Sequence, residues 1–297
     1  MKLRTKFNLV VLVAFLAGFA LTGALLKQRF DSDAKEQVLR TANVMLAAAN
    51  SARTYTTDQI RPVTGFDQGG KFLPVSIPSF AAQTTLRGFG SDYADYRYKE
   101  AALNPTNPTD RAADWEADII NAFRADAKLK EIVTERDTPT GTMMVVAHGL
   151  SVNDPSCMSC HSVPSAAPKS MLDKYGSANG FGWVLNSVIG AQIVSLPLDA
   201  VIQKSNQNLL IFLGLLVGIF VLMLIILNLL LDFLVIRPTK TISKIATAVS
   251  LGESDVDEFN MKGDDEISAL AEAFNRMRRS LASAMSLLGG DSPSDPT

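Results

Sequence analysis

Residues 209–231, LLIFLGLLVGIFVLMLIILNLLL, form the stretch that decides the fold, because Asn228 is the one polar side chain within them. A helix rises about 1.5 Å per residue, so about 20 apolar residues cross a hydrocarbon layer of ~30 Å. A buried helix of a soluble protein is seldom this long and this apolar. The sequence therefore predicts a transmembrane helix over residues 208–236.

Basic residues orient this helix. Those that follow it directly are Arg237, Lys240 and Lys244. Positive charge beside a membrane helix favours the cytoplasmic side, so the C-terminal end is predicted to be cytoplasmic. Asn228 and Asp232, near that end, are interpreted as interfacial residues rather than as contacts between helices.

A second apolar stretch, residues 7–26, lies near the N-terminus and contains no charge. Residues 1–6 carry three basic side chains, so this end also stays in the cytoplasm and the following segment is exported. A cleaved signal peptide is the alternative, since Thr22 and Ala24 are small residues at a suitable spacing for cleavage. Because the apolar run is longer than a signal peptide usually has, we interpret it as a retained transmembrane helix.

The two helices predict a two-pass protein of the bacterial inner (cytoplasmic) membrane, with residues 27–207 in the periplasm and both termini in the cytoplasm. Membrane lipid is thus an expected partner. The 28 basic and 30 acidic residues leave a net charge of -2. Such a balance gives no cationic field, so nucleic acid is not an expected partner.

The exported segment contains Cys157-Met158-Ser159-Cys160-His161, the pattern of c-type haem attachment. Two thiols three positions apart can each add to a vinyl group of the porphyrin, and the next histidine then gives iron its proximal nitrogen. We predict one covalent haem c, with Cys157 and Cys160 as thioether residues and His161 as the proximal iron ligand.

Three alternative roles for these cysteines are less well supported. A zinc site needs four ligands, whereas the chain has only 2 cysteines and 2 histidines. A thioredoxin-like redox pair is expected at a helix start beside a βαβ pattern, whereas residues 153–156 are a loop signal. A structural disulfide is the third alternative.

The sixth iron position has two candidate residues. His148 lies on a predicted strand, residues 142–150, whose alternation places it on one face with Met144 and Val146. It is either a distal ligand, a partner of a haem propionate or a hydrogen-bonded structural residue. Met45, on a predicted helix, is either a distal ligand or an ordinary core methionine. A position left open would bind a diatomic gas.

The remaining pattern of the exported segment predicts an α+β fold. A helix continues from the membrane through Arg53 and Tyr55, and Pro-rich loops follow at residues 72–74 and 77–80. Asp110 is a candidate N-cap for a helix over residues 111–126. After the haem motif, three glycines lead into an apolar strand over residues 188–196.

Several runs resemble the c-type haem family of PAS-like extracytoplasmic sensor domains, and the resemblance covers most of residues 30–205. They are Tyr98–Pro108, Cys157–His161, Ala167–Met171, Asn179–Trp183 and Gly190–Ile193. The resemblance implies a PAS-like haem domain mounted between two membrane helices ahead of signalling modules. The run Ala147-His148-Gly149 departs from the Ala-Arg-Pro that is common in the family, which leaves the role of His148 open.

Residues 237–288 resemble a HAMP domain. Pro238 follows the membrane helix, and Asp265-Glu266-Ile267 opens a second helix. Its apolar residues recur in heptad register at Ile267, Leu270, Phe274, Met277, Leu281, Ala284 and Leu288. Two short helices of this kind cannot bury their apolar seams alone, so we expect a cytoplasmic helical hairpin that forms a four-helix bundle in a homodimer.

These features predict a haem sensor. Redox change, or binding of NO, CO or O2, would move the second membrane helix and repack the HAMP bundle. Residues 289–297 are predicted to be a disordered tail without an output domain, so a separate cytoplasmic protein of the histidine kinase or chemotaxis type would receive the signal.

Two alternatives for the function stay open. One is a membrane-anchored electron-transfer cytochrome c, and the other is a haem subunit of a larger membrane assembly. An enzyme is not expected, because the sequence shows no convergent nucleophile and base and no phosphate-binding loop.

Overall fold

The computed structural model describes residues 3–251, 259 and 263–289. The chain divides into two compact units. The larger unit is Ala24–Leu210, and the other combines Met1–Gly23 with Ile211–Thr297. Most of the predicted tail, residues 290–297, lies outside the described residues.

The larger unit is built around an antiparallel sheet. The strands are β1 (Asp67–Gln68), β2 (Lys71–Phe72), β3 (Arg97–Ala102), β4 (Glu131–Thr138), β5 (Gly141–Ser151) and β6 (Val188–Pro197). The first two form a small hairpin, and the other described strands form a 4-stranded sheet in the order β3-β6-β5-β4. Strand β5 extends the strand predicted at residues 142–150 by one residue at each end, and β6 extends the strand predicted at residues 188–196 by one residue at its C-terminal end.

The helices surround this sheet and continue beyond it. They are α1 (Leu3–Tyr55), α2 (Arg61–Thr64), α3 (Pro78–Arg87), α4 (Asp114–Ala125), α5 (Met158–His161), α6 (Lys169–Tyr175), α7 (Leu198–Leu231), α8 (Arg237–Ser250) and α9 (Glu266–Gly289). The end of α1 at Tyr55 confirms the predicted helix that runs on from the first apolar stretch.

Helix α1 covers one face of the sheet and α4 covers the other. Along β5, Met144 and Val146 belong to the core cluster that contains α1, whereas Val145 and Ala147 belong to the cluster that contains α4. Burial of each large apolar side chain contributes about 1.5–3 kcal/mol. The alternation of β5 therefore fixes the sheet between two helical layers.

Two local predictions are wrong. Asp110 does not cap α4, because Asn107 caps a short 3-10 turn there by accepting a hydrogen bond from the Thr109 backbone N–H. The helix begins later, where the Glu116 carboxylate accepts a hydrogen bond of 2.8 Å from the Ala113 backbone N–H. The Pro-rich segment over residues 77–80 is also not all loop, since Pro78 starts α3, the position in a helix where proline is favoured.

Two continuous helices are long and apolar enough, by length and composition, to cross a membrane. Helix α1 passes through a π-helical turn into α2, and α7 passes through another, Asp232–Ile236, into α8. The continuous helices are Leu3–Thr64 and Leu198–Ser250, and their most apolar windows have mean hydropathies of 2.6 and 3.3.

Asn228 contacts the other apolar helix, which contradicts its interpretation as an interfacial residue. Its side-chain amide and that of Asn8 donate to one another at 3.0 Å in both directions, and Arg4 Nε donates to Asn228 Oδ1 at 2.7 Å. Asp232 makes a local ion pair of 2.9 Å with Arg237 instead. A reciprocal amide pair within apolar surroundings leaves no side-chain donor of the pair without a partner, and this explains the contact.

Helices α8 and α9 contact one another, and Ile242 on α8 and Ala271 on α9 are both buried. The predicted hairpin and its four-helix bundle in a homodimer stay predictions. The Asn275 side chain bonds both the N–H and the carbonyl of Phe259, at 3.3 and 2.9 Å. Residues 252–258 and 260–262 of the connection, and the side chain of Leu288, lie outside the described residues.

Candidate functional site

A cavity opens beside the sheet in the larger unit. The space between its walls measures about 1310 Å³, including the part that is open to solvent. Its walls come from α1, α2, α3, β3, the segment after β5 and the loop before β6. The lining residues used below are Arg53, Arg61, Gln83, Arg87, Glu100, Thr106, Asp110, Ser156, Cys157, Cys160, His161, Met171, Tyr175 and Trp183.

The Cys-x-x-Cys-His motif forms part of this wall. The Asp154 carboxylate accepts a hydrogen bond of 2.9 Å from the Ser156 backbone N–H and so starts a 3-10 turn that leads into α5. The two thiols and the imidazole therefore face one cavity. Both cysteines are free, and burial raises the pKa of the Cys157 thiol.

The motif does stand at a helix start, contrary to the loop that the sequence predicts there. Cys157 directly precedes α5. The sheet beside it is antiparallel, however, so the βαβ setting of a thioredoxin-like pair is not present among the described residues.

His161 is held in one orientation by three contacts. Its Nδ1 lies 2.7 Å from the Gly180 carbonyl oxygen and 3.4 Å from Thr106 Oγ1. The Trp183 ring stacks on the imidazole, with centroids 3.7 Å apart and planes 7° from parallel. Burial lowers the pKa of His161, which favours the neutral ring. Because a carbonyl only accepts, Nδ1 carries the proton, and the lone pair of Nε2 is available to a metal.

The loop that accepts this hydrogen bond is itself fixed. Asn104 Oδ1 accepts from the Gly180 N–H at 3.2 Å, and Asn104 Nδ2 donates to the Phe181 carbonyl at 3.3 Å. Gly180 has a φ of +84°, and a Cβ at this position would overlap with Thr106. Sequence reasoning treated Gly180 as a connector and missed this role, although the Asn104 and Gly180 runs both belong to the family resemblance.

Charged and polar residues line the cavity opposite the apolar core. The guanidinium of Arg53 pairs with the carboxylate of Glu100, which is only 3% exposed. Gln83 Nε2 donates to Asp110 Oδ1 at 3.0 Å. Burial raises the pKa of Asp110, and the nearby charge of Glu100 adds to this effect. The ion pair of Arg53 with Glu100 was not predicted from the sequence, although a glutamate beside the alanines that end β3 is a signal for it.

A buried hydrogen-bond network leads away from Glu100. The Tyr98 hydroxyl donates to Glu100 Oε1 at 2.7 Å and accepts from Gln192 Nε2 at 3.0 Å. Gln192 Nε2 also donates to Asn50 Oδ1 at 2.9 Å. The network thus connects the cavity wall with α1, through Asn50, and with β6, through Gln192.

The two candidates for the sixth position do not line the cavity. Met45 is 4% exposed and packs in the core cluster of α1 and the sheet. The His148 ring lies 3.2 Å from a carboxylate oxygen of Glu131, its cross-strand partner on β4. Of the residue types that bind haem iron, Met171 and Tyr175 line the cavity together with the motif.

Comparison with known proteins agrees with the two resemblances. A family model described as Tll0287-like matches residues 28–197, and a HAMP domain model matches residues 234–283. The crystal structure of the cyanobacterial heme-protein Tll0287 aligns with 54% of this chain and 94% of its own, at 14% identity and a TM-score of 0.43. No curated protein matches the chain.

Proposed function

The chain belongs to the Tll0287-like family and carries a HAMP domain, and from this premise we propose that it is a membrane-bound c-type haem sensor. The observation that carries the proposal is the placement of two free thiols and a neutral, oriented imidazole on the wall of one cavity. In this proposal Cys157 and Cys160 hold a single haem through thioether bonds, and His161 Nε2 binds the iron.

The residues present fit such a group. The donor set is that of covalent haem attachment, and all three of its residues line the same cavity. Bound haem supplies an iron that changes oxidation state and that takes a diatomic gas where its sixth position is open. The chain's own part is to orient His161 through Gly180 and to keep Nδ1 protonated.

Pyridine haemochrome spectra test the attachment. Denatured protein that has been extracted with acid acetone should keep its haem, and the variant C157S/C160S should lose it. A Met158→Leu variant, changed within the same motif, is the control and should retain haem. Loss of all porphyrin from the extracted wild type would contradict the proposal.

The sixth ligand is tested on the same material. Absorption and EPR spectra of M45A and H148A beside the wild type identify either residue if its loss abolishes a low-spin signal. The packing of Met45 and the contact of His148 with Glu131 favour unchanged spectra in both variants. In that case the position is open or is bound by another residue.

We further propose that both apolar helices cross the bacterial inner membrane, with the cavity in the periplasm and both termini in the cytoplasm. Basic residues at 2–6 and 237–244 support this orientation. A phosphatase fused after residue 207 should be active in the periplasm, and one fused after residue 288 should be inactive. The reverse pattern would contradict the orientation.

The relay in this proposal uses the junction of sheet and helix. Strand β6 ends at Pro197, and α7 begins at the next residue, Leu198, which is 1% exposed. A displacement of β6 therefore has to move the start of α7. Helix α7 is continuous with α8 of the HAMP hairpin, so redox or gas state is passed to a homodimeric bundle and from there to a separate cytoplasmic signalling protein.

The HAMP deletion separates the sensor from an electron-transfer cytochrome. Removal of residues 237–288 should abolish the cellular response and leave the haem spectrum intact. Co-purification of a kinase or chemoreceptor supports the sensor, whereas respiratory subunits with a surviving response support the electron carrier.

A further inference from the structure

Arg61 differs from the other arginines that line the cavity. The guanidinium of Arg53 is paired with Glu100, and Arg87 Nε donates to the Gln83 carbonyl at 3.2 Å. The Nε of Arg61 is buried and has no hydrogen-bond partner in the part of the chain that the structure describes. A buried donor without a partner costs about 1–3 kcal/mol, more when the group is charged.

The remaining contacts of Arg61 hold the side chain in place but give its Nε no partner. Nη1 donates to Ser156 Oγ at 3.0 Å and lies 3.5 Å from Asp154 Oδ2, and Nη2 lies 3.4 Å from Thr57 Oγ1. The guanidinium also lies 5.4 Å from the centre of the Phe66 ring. A guanidinium has five N–H donors, and adjacent donors on one edge bind a carboxylate or similar anion in a bidentate manner.

The nearest acid does not satisfy this cation. Asp154 is 45% exposed, and its contact with Arg61 is at the long end of the ion-pair range. An ion pair of 3.5 Å to a carboxylate as exposed as this one contributes little. The other oxygen of Asp154 is already occupied by the Ser156 backbone N–H.

We propose that Arg61 binds an anionic oxygen group inside the cavity through its Nε edge. The inference rests on the proposed function, since a haem in this cavity brings propionate carboxylates. A small anion that binds at the iron offers the same chemistry from a second source.

The test uses the full chain, loaded with haem and held in detergent, with R61Q and R61K. The control is R40Q, since Arg40 is 66% exposed on α1 and pairs with Glu36. Two quantities are measured for each protein. One is the pH at which the midpoint potential changes slope as a propionate ionises, and the other is the affinity of ferric iron for azide.

If Arg61 holds a propionate, R61Q should move the slope change upward by about one pH unit, because the ionised carboxylate loses its cation. Azide affinity should then stay unchanged. If Arg61 instead holds a free anion, azide affinity should fall about tenfold and the slope change should not move.

Equal results for R61Q and R40Q in both measurements would overturn the inference. Should R61Q fail to load haem, R61K decides, because it keeps the charge but lacks the Nε edge and should show a smaller shift of the same sign. Absence of covalent haem in the wild type would mean that the proposed function fails, which is distinguished from failure of the inference by the pyridine haemochrome.

Discussion

At the scale of single residues, Gly180 determines which ring nitrogen of His161 carries the proton. Its carbonyl accepts the Nδ1–H, and its φ of +84° and the proximity of Thr106 leave no room for a side chain. A hydrogen bond from a ligating histidine to a carbonyl raises the basicity of the ring. In the proposed haem site, Gly180 would therefore influence the iron without touching it.

We predict that G180A raises the midpoint potential and lowers the unfolding temperature, because the loop must shift and the Nδ1–H loses its acceptor. Gly176 provides the matched control, since its φ is +78° and a Cβ there would meet nothing within 4 Å. The backbone cost of about 1–2 kcal/mol should be shared by G176A. An equal potential in both variants would show that the loop contact has no influence on the iron.

Asp110 gives stability a dependence on pH. Burial raises the pKa of this carboxyl above its ordinary value of 3.8, so the folded chain binds the proton more tightly than the unfolded chain. Stability should therefore fall as the pH rises from 3.8 through the folded pKa.

D110N keeps an acceptor for Gln83 and should lose less stability over this window, as measured by unfolding temperature. D118N, at an exposed position on α4, should follow the wild type, and parallel curves for D110N and wild type would refute the prediction.

The cysteines and the histidine of the motif could be predicted from the sequence, but the residues that hold them in place could not. Cys157, Cys160 and His161 are adjacent, and their spacing alone indicates the chemistry. Gly180 and Glu100 reach the site through the fold, from a distant loop and from the neighbouring strand β3. No local sequence pattern indicates that Gly180 and Glu100 lie close to the motif. Met45 and His148 were candidates only because methionine and histidine can bind haem iron, since the sequence does not show where they lie relative to the motif.

At the scale of elements, a regular repeat of apolar residues was the reliable signal for helices and strands. Strand β5 and helix α1 were predictable, because each buries a repeating apolar face. Strand β4 was missed, since it is an edge strand with the sequence EIVTERDT and lies largely exposed. Charged side chains suit an unpaired edge, but they remove the alternation on which strand prediction depends.

The pair of Asn8 and Asn228 is expected to stabilise the contact between the two apolar helices. N228L removes both amide hydrogen bonds and the contact with Arg4. We predict a loss of about 0.6–2 kcal/mol, measured as a lower unfolding temperature in detergent, with N8L/N228L costing less than the sum of the single changes. The control L229A, at a position that is 66% exposed, should have little effect. Strict additivity of the two asparagine changes would contradict the coupling.

At the scale of the whole molecule, the Tll0287-like domain lies in the sequence between the two long apolar helices, and the segments of these helices within the larger unit contact one another. The Ser205 hydroxyl donates to the Phe30 carbonyl at 3.2 Å, and Lys27 Nζ donates to Asn206 Oδ1 at 2.8 Å. Within the larger unit, the entering and leaving helices are thus bonded to one another. The hydrogen bonds that Gln192 Nε2 donates to Asn50 and Tyr98 connect the cavity to the same pair of elements, α1 and the strand that leads into α7.

Because α7 and α8 are continuous, the register between them should matter. One alanine inserted after Ile236 turns α8 by about 100°, whereas seven residues turn it by almost two full turns. We predict that the single insertion fixes the cellular response in one state, that seven residues restore regulation, and that both proteins keep the wild-type haem spectrum. Normal regulation in the single-insertion protein would show that rotation of α8 is not transmitted.

The stacking of Trp183 on His161 gives the protein an internal optical label. The chain has 2 tryptophans, and the other, Trp115, lies against Arg136 on the far side of the sheet from α1. In a W115F variant, Trp183 is the source of all indole fluorescence, and its ring stacks on the His161 imidazole. Porphyrin absorbs at the wavelengths at which indole emits. Binding of the proposed haem can therefore be followed over time as quenching of Trp183 fluorescence, without an added fluorophore.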